Sequence, residues 1–214
     1  MALHAVSTHP IASALALLAL FMGGPGAMAA EELPKYEVVE AAAGDIEIRD
    51  YAPMLVAEVV VEGDRDTAAN EGFRILAGFI FGGNQSSAKV AMTAPVSQTP
   101  SETIAMTAPV TQTPSDGGNW TISFMMPSKF TRETLPVPDD KRIVIRETPP
   151  RRAAARRFSG RWTKDNLAKN AMLLDAFVTE RQLKPDGPSF FAFYNGPFTP
   201  FFMRRNEVIV FLAP

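Results

Sequence analysis

One phrase occurs twice in the middle of the chain and limits what the backbone there can form. The first copy begins at Val90 as Val-Ala-Met-Thr-Ala-Pro-Val-Ser-Gln-Thr-Pro-Ser, and the second begins at Ile104 as Ile-Ala-Met-Thr-Ala-Pro-Val-Thr-Gln-Thr-Pro-Ser. Apolar residues alternate along each copy, charge is low, and Gln-Thr-Pro-Ser closes both. This pattern predicts a duplicated strand, with the spacer as a turn.

Each copy carries one methionine, Met92 and Met106. Soft sulfur suits both copper and haem iron, so the two side chains could act as paired thioether ligands. A period of two also places each methionine with its apolar neighbours on one strand face, where methionine fills irregular space in a barrel lining. We favour the lining interpretation.

The start of the chain differs in composition from the rest. No Lys, Arg, Asp or Glu occurs before Glu31, and the run 11–21 is apolar but too short to span a bilayer as a helix. Ala27-Met28-Ala29 has the small-x-small form that signal peptidase needs. We predict a cleaved signal peptide at 1–29, a domain at 30–214, and an exported protein, periplasmic or secreted, without stable membrane insertion after cleavage. A retained membrane anchor is the alternative, because the start lacks a basic region.

The residues available for chemistry are few. The chain has no Cys, and both histidines, His4 and His9, lie in the leader. The mature protein would therefore lack a disulfide framework, a Cys nucleophile and a His general base, which excludes hydrolases of the Ser-His-Asp and Cys-His types. Carboxylate-based catalysis stays open, but no spacing singles out an acidic pair. We predict a protein that is not an enzyme.

The charge balance gives no case for a nucleic-acid partner. Lys and Arg number 21 against 23 Asp and Glu, a net charge of -2. The one basic cluster, at 151–157, could contact phosphate, but a strand with a solvated face or a loop beside acidic neighbours is the interpretation we favour. The sequence does not indicate an oligomeric state.

Two kinds of periodicity alternate along the chain. Short runs rich in Val, Ile and Tyr predict strands, and two longer segments predict helices, the first capped by Asp64 or Asp66. The predicted strands are 36–39, 46–51, 55–61, 120–126, 142–147, 190–194 and 207–212, and the predicted helices are 67–81 and 163–184. Strands, helix and strands occur in that order twice. This favours an α+β fold: a distorted antiparallel β-barrel of two pseudo-symmetric halves with two external α-helices.

Apolar residues surround much of the first predicted helix. The stripe predicted to face the sheet is Phe73, Leu76, Ala77 and Ile80, and the other side holds Gly72, Ile75, Gly78 and Phe79. A glycine costs roughly 1 kcal/mol in a helix interior, so two of them on an apolar face predict a flat partner close to the backbone. A covering loop or strand is the alternative.

A second apolar surface is expected at Asn195–Met203, which holds three Phe and one Met between two prolines and a glycine. Proline and glycine prevent regular strand pairing here, so the segment is predicted to be a stiff loop. It either folds over the core or forms a wall of an apolar ligand site.

The repeated phrase, together with Arg204-Arg205-Asn206-Glu207-Val208, resembles the SOUL family of haem-binding proteins, and the resemblance runs from Tyr36 to Leu212. It implies a pseudo-symmetric α+β barrel with a porphyrin cleft between the first helix and the 195–203 loop. The residues that it places at the cofactor are Arg74, Ile75, Gly78, Phe79, Phe198, Phe201, Phe202 and Met203. Arg74 is expected to pair with a haem propionate. The Arg204–Glu207 segment itself is expected to be structural, its guanidiniums pairing with local carboxylates.

The chain departs from the family pattern in this loop and in its histidines. It has Gly196-Pro197-Phe198 where relatives commonly have two prolines followed by Trp or Met. After the predicted leader it has no His that could ligate iron. We therefore expect haem, or a porphyrin without a strong axial ligand, with Met203 as the nearest candidate ligand. Binding of another apolar small molecule, or a carboxylate-based enzyme acting on one, are the alternatives.

Overall fold

The structure is a computed structural model that describes residues 31–87, 101–196 and 198–214. The helices are α1 (Arg65–Ile80) and α2 (Lys164–Glu180). The strands are β1 (Tyr36–Ala42), β2 (Ile46–Tyr51), β3 (Met54–Val61), β4 (Asn84–Gln85), β5 (Val110–Pro114), β6 (Trp120–Met125), β7 (Val137–Pro138), β8 (Val144–Thr148), β9 (Arg151–Phe158), β10 (Phe190–Phe193) and β11 (Asn206–Phe211). None of the helices in these residues has the length and apolar character needed to cross a membrane.

Nine of these strands form one curled sheet in the order β1-β2-β9-β11-β10-β5-β6-β3-β8, and β4 pairs with β7 separately. Neighbours in the large sheet pair antiparallel. α1 packs on β3 and β6, whereas α2 packs on β9 and β11, so each half of the sheet has its own helix. The predicted α+β class, with a curled antiparallel sheet and two helices, is confirmed; the sheet stays open at β1 and β8 as a half-barrel.

The sheet is buried on both faces where β9 and β11 lie side by side. Successive side chains of a strand point to opposite faces. Ala154 and Val208 therefore pack with α2, while Ala153 and Ile209 join a second cluster on the other face. Small alanines on β9 let both layers come close to the backbone.

The basic cluster of the sequence forms β9, between β2 and β11. Arg151 pairs with Asp186 at 2.6 Å, and Arg152 pairs with Asp50 at 2.8 Å. The cluster is thus a strand with two of its guanidiniums paired with acidic neighbours. This confirms the strand interpretation.

Side-chain caps set the starts of both helices. The Asp64 carboxylate accepts hydrogen bonds from the backbone N–H groups of Asp66 (3.0 Å) and Thr67 (3.2 Å), so α1 begins two residues before the predicted start. Thr163 caps α2 by accepting from Asn166 N–H at 3.3 Å. α2 ends before the predicted Lys184, because Gln182 has a φ of 54°, which a helix cannot contain.

The second copy of the repeated phrase is a strand only from Val110 onwards. The Ile104 N–H donates to Ile80 O at 2.8 Å, and the Ala108 N–H donates to Glu32 O at 3.0 Å, so this backbone bonds to the end of α1 and to the N-terminal segment. The predicted strand pair is therefore wrong for this part. Met106 is 40% exposed, so the lining interpretation is also wrong for it. Most of the first copy, including Met92, lies outside the described residues.

Candidate functional site

A groove of about 680 Å³ lies between α1, β5, the end of β10 and the segment that joins β9 to α2. Its volume is in the range of small-molecule sites, which are about 300–1,000 Å³. The large apolar side chains in its lining are Phe73, Met106, Val110, Trp162, Phe193 and Tyr194.

Aromatic rings on two sides of the groove are held in place by their neighbours. On α1, Phe73 is 41% exposed, and its ring centroid lies 5.4 Å from that of Phe124 at 61°. Opposite, the Trp162 ring lies 5.2 Å from Phe193, and its indole N–H donates to Asn206 Oδ1 at 2.8 Å. Because the indole donor is satisfied, the remaining ring surface can contact an apolar ligand.

Arg65, in the first turn of α1, joins three sides of the groove. Its guanidinium donates to Trp162 O at 2.8 Å and to Gln112 Oε1 at 3.4 Å, and it forms an ion pair with Asp66. Burial lowers the pKa of Arg65, but a guanidinium keeps its charge at neutral pH. The charged lining residues are Glu31, Arg65 and Asp66, two carboxylates and one cation.

The floor of the groove connects to a buried charge network through Tyr194. The Tyr194 hydroxyl donates to Glu207 at 2.8 Å. Glu207, which is fully buried, also accepts from Arg49 at 2.7 and 3.0 Å and from Arg205 at 2.7 Å. Burial opposes ionisation of Glu207, but the hydrogen bonds and charge of Arg49, helped by Arg205, outweigh it and hold its pKa below the ordinary value.

Tyr194 itself stays protonated in this setting. Burial raises the pKa of its phenol, and the negative charge of Glu207 raises it further. The Arg204–Glu207 segment was expected to pair its guanidiniums with local carboxylates. Arg205 does so, with Glu207 at 2.7 Å. In addition, the Arg204 guanidinium lies 4.3 Å from the centre of the Trp162 ring.

The four predicted site residues of α1 do not line the described groove. Ile75 and Phe79 are 5% and 1% exposed and belong to the core between α1 and the sheet. Arg74 and Gly78 are exposed, and Arg74 lies 3.8 Å from Glu71. The predicted orientation of α1 is right for Leu76 and Ile80, which are buried in the same core, and wrong for Ile75 and Phe79, which pack there instead of facing a ligand.

The contact of Gly72 with the sheet explains why Ile75 and Phe79 are buried. A Cβ at this position would collide with the Ile122 side chain on β6. The flat partner that approaches the α1 backbone is the sheet itself, whereas Gly78 faces open space. Phe73, predicted to face the sheet, lines the groove instead.

The four predicted residues of the loop are exposed. Their exposed fractions are 98% for Phe198, 44% for Phe201, 65% for Phe202 and 66% for Met203. The described part of the loop therefore does not fold over the core. These side chains are not in the described lining of the groove, which reaches this loop at Asn195 and Gly196. The structure does not bring the loop side chains together with Arg74, and their role at a ligand stays a prediction.

Sequence reasoning missed both aromatic walls of the groove, since Phe73 was expected to face the sheet. Phe193 was assigned to a strand and Trp162 to no element, and no periodicity marks either as a ligand contact. The sequence does draw attention to Arg65 and Met106. Arg65 lies at the start of a capped helix, and Met106 lies in the repeated phrase. Such patterns identify a helix or a strand, but they do not show which way its side chains point.

A family model described as SOUL heme-binding protein matches residues 31–211. This chain belongs to the SOUL family. Heme-binding protein 2 of Mus musculus is 28% identical over 183 residues, which cover 83% of this chain and 84% of that protein. The resemblance of the repeated phrase and the C-terminal segment to the SOUL family is thereby confirmed.

Two solved structures share the fold of this SOUL protein. The EcmrR C-terminal domain aligns with a TM-score of 0.57 at 8% identity, over 83% of this chain and 98% of that chain. A protein from Listeria innocua described as a hydrolase aligns with a TM-score of 0.50 at 14% identity, over 81% and 94%. At such identities the likeness shows the fold alone.

Proposed function

We propose that this SOUL protein binds haem or a related tetrapyrrole in the groove between α1, β5 and β10. The observation that carries the proposal is a pair of aromatic walls, Phe73 on one side and Trp162 with Phe193 on the other, in a chain of a haem-binding family. A porphyrin is flat and largely apolar, and rings held by their own packing can contact it without further ordering.

The groove fits the apolar ring of a tetrapyrrole better than its carboxylates. Glu31 and Asp66 outnumber Arg65 in the lining, and Arg65 is already engaged by Asp66 and Trp162. The propionates of a bound haem would therefore lie at the solvent edge, where water screens like charges. Haem, when bound, supplies a redox-active iron. The residues around it would hold the ring and keep water from one side.

The proposed role is binding without catalysis. Neither histidine nor cysteine occurs after the leader, and the described residues contain no group of three or more acidic side chains that could hold a metal ion. The buried carboxylate Glu207 is ionised and engaged by Arg49, Arg205 and Tyr194, so it is not a general acid.

Filling the groove tests the proposal. Ala69 on α1 lines the groove, so Ala69→Phe is expected to weaken haemin binding by about tenfold or more, because a ring then occupies the ligand space. Ala77→Phe is the matched control: the same change on the same helix, away from the described lining. Affinities come from the Soret shift and Trp quenching on titration with haemin. Equal affinity of wild type and Ala69→Phe would reject this groove.

A second candidate is another apolar small molecule that is neutral or cationic. The excess of carboxylates over cations in the lining favours it. Native mass spectrometry of protein purified from its own host distinguishes the two, because a tetrapyrrole and a non-tetrapyrrole ligand differ in mass and absorption.

We also propose export, with cleavage after Ala29. The support is the uncharged apolar leader and its small-x-small end. The intact mass of the protein from its host should correspond to a chain that begins at Ala30. A mass that includes residues 1–29 would show a retained leader.

A further inference from the structure

Met106 contributes sulfur to a groove that otherwise lacks it among its described lining residues. The side chain is 40% exposed, while Ile104 is 0% and Ala108 is 4% exposed on either side of it. Met106 thus lies with Ala105 on an exposed part of the backbone between two buried residues, and its side chain lines the groove instead of filling the core.

The backbone that presents Met106 is anchored on both sides. The Ile104 N–H donates to Ile80 O at the end of α1, and the Ala108 N–H donates to Glu32 O. Between them the Thr107 hydroxyl donates to Met125 O. The thioether therefore starts from a fixed position, which a ligand-binding group requires.

Other donors in the groove are already engaged or poorly suited to iron. The Tyr194 hydroxyl donates to Glu207, and burial raises its pKa, so it does not offer a phenolate. Asp66 is paired with Arg65. Glu31 is exposed and solvated.

We propose that the Met106 sulfur is the axial ligand to the iron of haem bound in this groove. This inference rests on the proposed function and deepens it. A thioether coordinates through a neutral lone pair, so binding releases no proton and needs no change of ionisation. Sulfur of this kind raises the reduction potential of haem iron. Met106 would thus make the protein select iron porphyrin over metal-free porphyrin.

Met203, the ligand that the sequence suggested, is the competing candidate for the iron. It is 66% exposed on the 195–203 loop and is absent from the described lining of the groove. Met106→Leu and Met203→Leu each remove one sulfur and keep a similar apolar volume, so neither should alter the fold.

The experiment titrates wild type, Met106→Leu and Met203→Leu with haemin and with metal-free protoporphyrin, in oxidised and reduced states. Met106→Leu is expected to bind haemin about tenfold more weakly and protoporphyrin equally well. It should also lose the sulfur-to-iron charge-transfer absorption and lower the reduction potential of the bound haem. Met203→Leu should keep the wild-type charge-transfer absorption, the reduction potential and the preference for haemin over protoporphyrin.

Each other outcome overturns the proposal in a recognisable way. Equal haemin affinity and unchanged spectra in Met106→Leu would leave the groove as the site but exclude Met106 as ligand. An equal loss for haemin and protoporphyrin would make Met106 an apolar wall only. Loss in Met203→Leu instead would move the ligand to the loop. Failure of wild type to bind either porphyrin would reject the proposed function and the ligation together.

Discussion

Gly72 sets how closely α1 approaches the sheet. With no Cβ at this position, the helix backbone comes against Ile122 of β6, and Ile75 and Phe79 pack beside that contact. Phe73 is then turned from the core towards the groove. A single missing side chain therefore determines which aromatic residue a ligand can meet.

Adding one methyl group at Gly72 should destabilise the protein. Gly72→Ala is expected to lower the free energy of unfolding by about 1–3 kcal/mol, because the Ile122 side chain is fully buried and cannot move away freely. Gly78→Ala is the matched control, since its new Cβ meets open space and the helix gains about 0.5–1 kcal/mol of propensity. Denaturant unfolding of the two variants measures the difference. A Gly72→Ala protein as stable as wild type would contradict this packing.

The orientation of α1 could have been inferred from its polar residues. Asp66, Asn70 and Arg74 recur every four residues and are all exposed, so they mark the solvent side. Apolar residues occur on all other sides of the helix, so their pattern alone does not show which side packs on the sheet. The sequence predicts a close partner at Gly72, but it does not show that this partner is the sheet and not a ligand.

At the scale of elements, the 195–203 loop is the part whose exposure most needs an explanation. Its short helical turn, Phe201–Met203, is tied to the β9–α2 segment by a hydrogen bond from Gly160 N–H to Phe201 O at 2.9 Å. Arg161 lies 4.7 Å from the centre of the Phe201 ring. Exposed apolar side chains that are grouped in this way are typical of a surface that contacts a partner or ligand.

Replacing loop side chains separates stability from binding. Phe198→Ser with Phe202→Ser is expected to change the free energy of unfolding by less than about 0.5 kcal/mol, because both rings are largely exposed. Haemin affinity is expected to fall, as the family resemblance implies for a loop at the edge of the ligand. Phe81→Ser, at a ring that is 61% exposed just after α1, is the control. Unchanged affinity in the double variant would remove the loop from the site.

Element types were predictable where local pattern and burial agree. The helix caps Asp64 and Thr163 and most strands of the sheet follow from turn residues and periodicity. The second copy of the repeated phrase was not predictable in the same way. Its alternation is that of a strand, but residues 104–109 bond to α1 and to the N-terminal segment, a long-range pairing that no local pattern encodes.

At the scale of the whole molecule, one buried charge joins separate strands of the sheet to the groove. Glu207 on β11 accepts hydrogen bonds from Arg49 on β2 and from Tyr194 just after β10. A buried carboxylate is stable in this place only while its arginine partners remain, and removal of one partner leaves an uncompensated charge. The network therefore favours one arrangement of the strands beneath the groove.

The same network should give the protein a defined loss of stability in acid. Because the pKa of Glu207 is lower in the folded state, its contribution is fully present above the ordinary glutamate pKa of about 4.3 and is lost as pH falls through the folded value. Glu207→Gln is expected to lower stability at pH 7 by roughly 3–5 kcal/mol and to flatten the acid dependence. Tyr194→Phe, which removes one hydrogen bond, should lower it by about 1 kcal/mol and keeps the test available if Glu207→Gln does not fold.

Asp140→Asn is the control for this acid dependence. Its partner Arg142 holds the pKa of Asp140 at about 2 through a hydrogen bond, but the pair is exposed, and water screens such pairs so strongly that they contribute little to stability. Unfolding midpoints between pH 7 and pH 2 should therefore coincide for Asp140→Asn and wild type, while Tyr194→Phe starts lower and Glu207→Gln falls least with acid. A wild-type profile that is flat below pH 4, or one that Asp140→Asn flattens, would show that the buried network does not govern the response. In that case the strands beneath the groove would be held by their backbone hydrogen bonds and apolar packing, and the groove would keep its shape in acid.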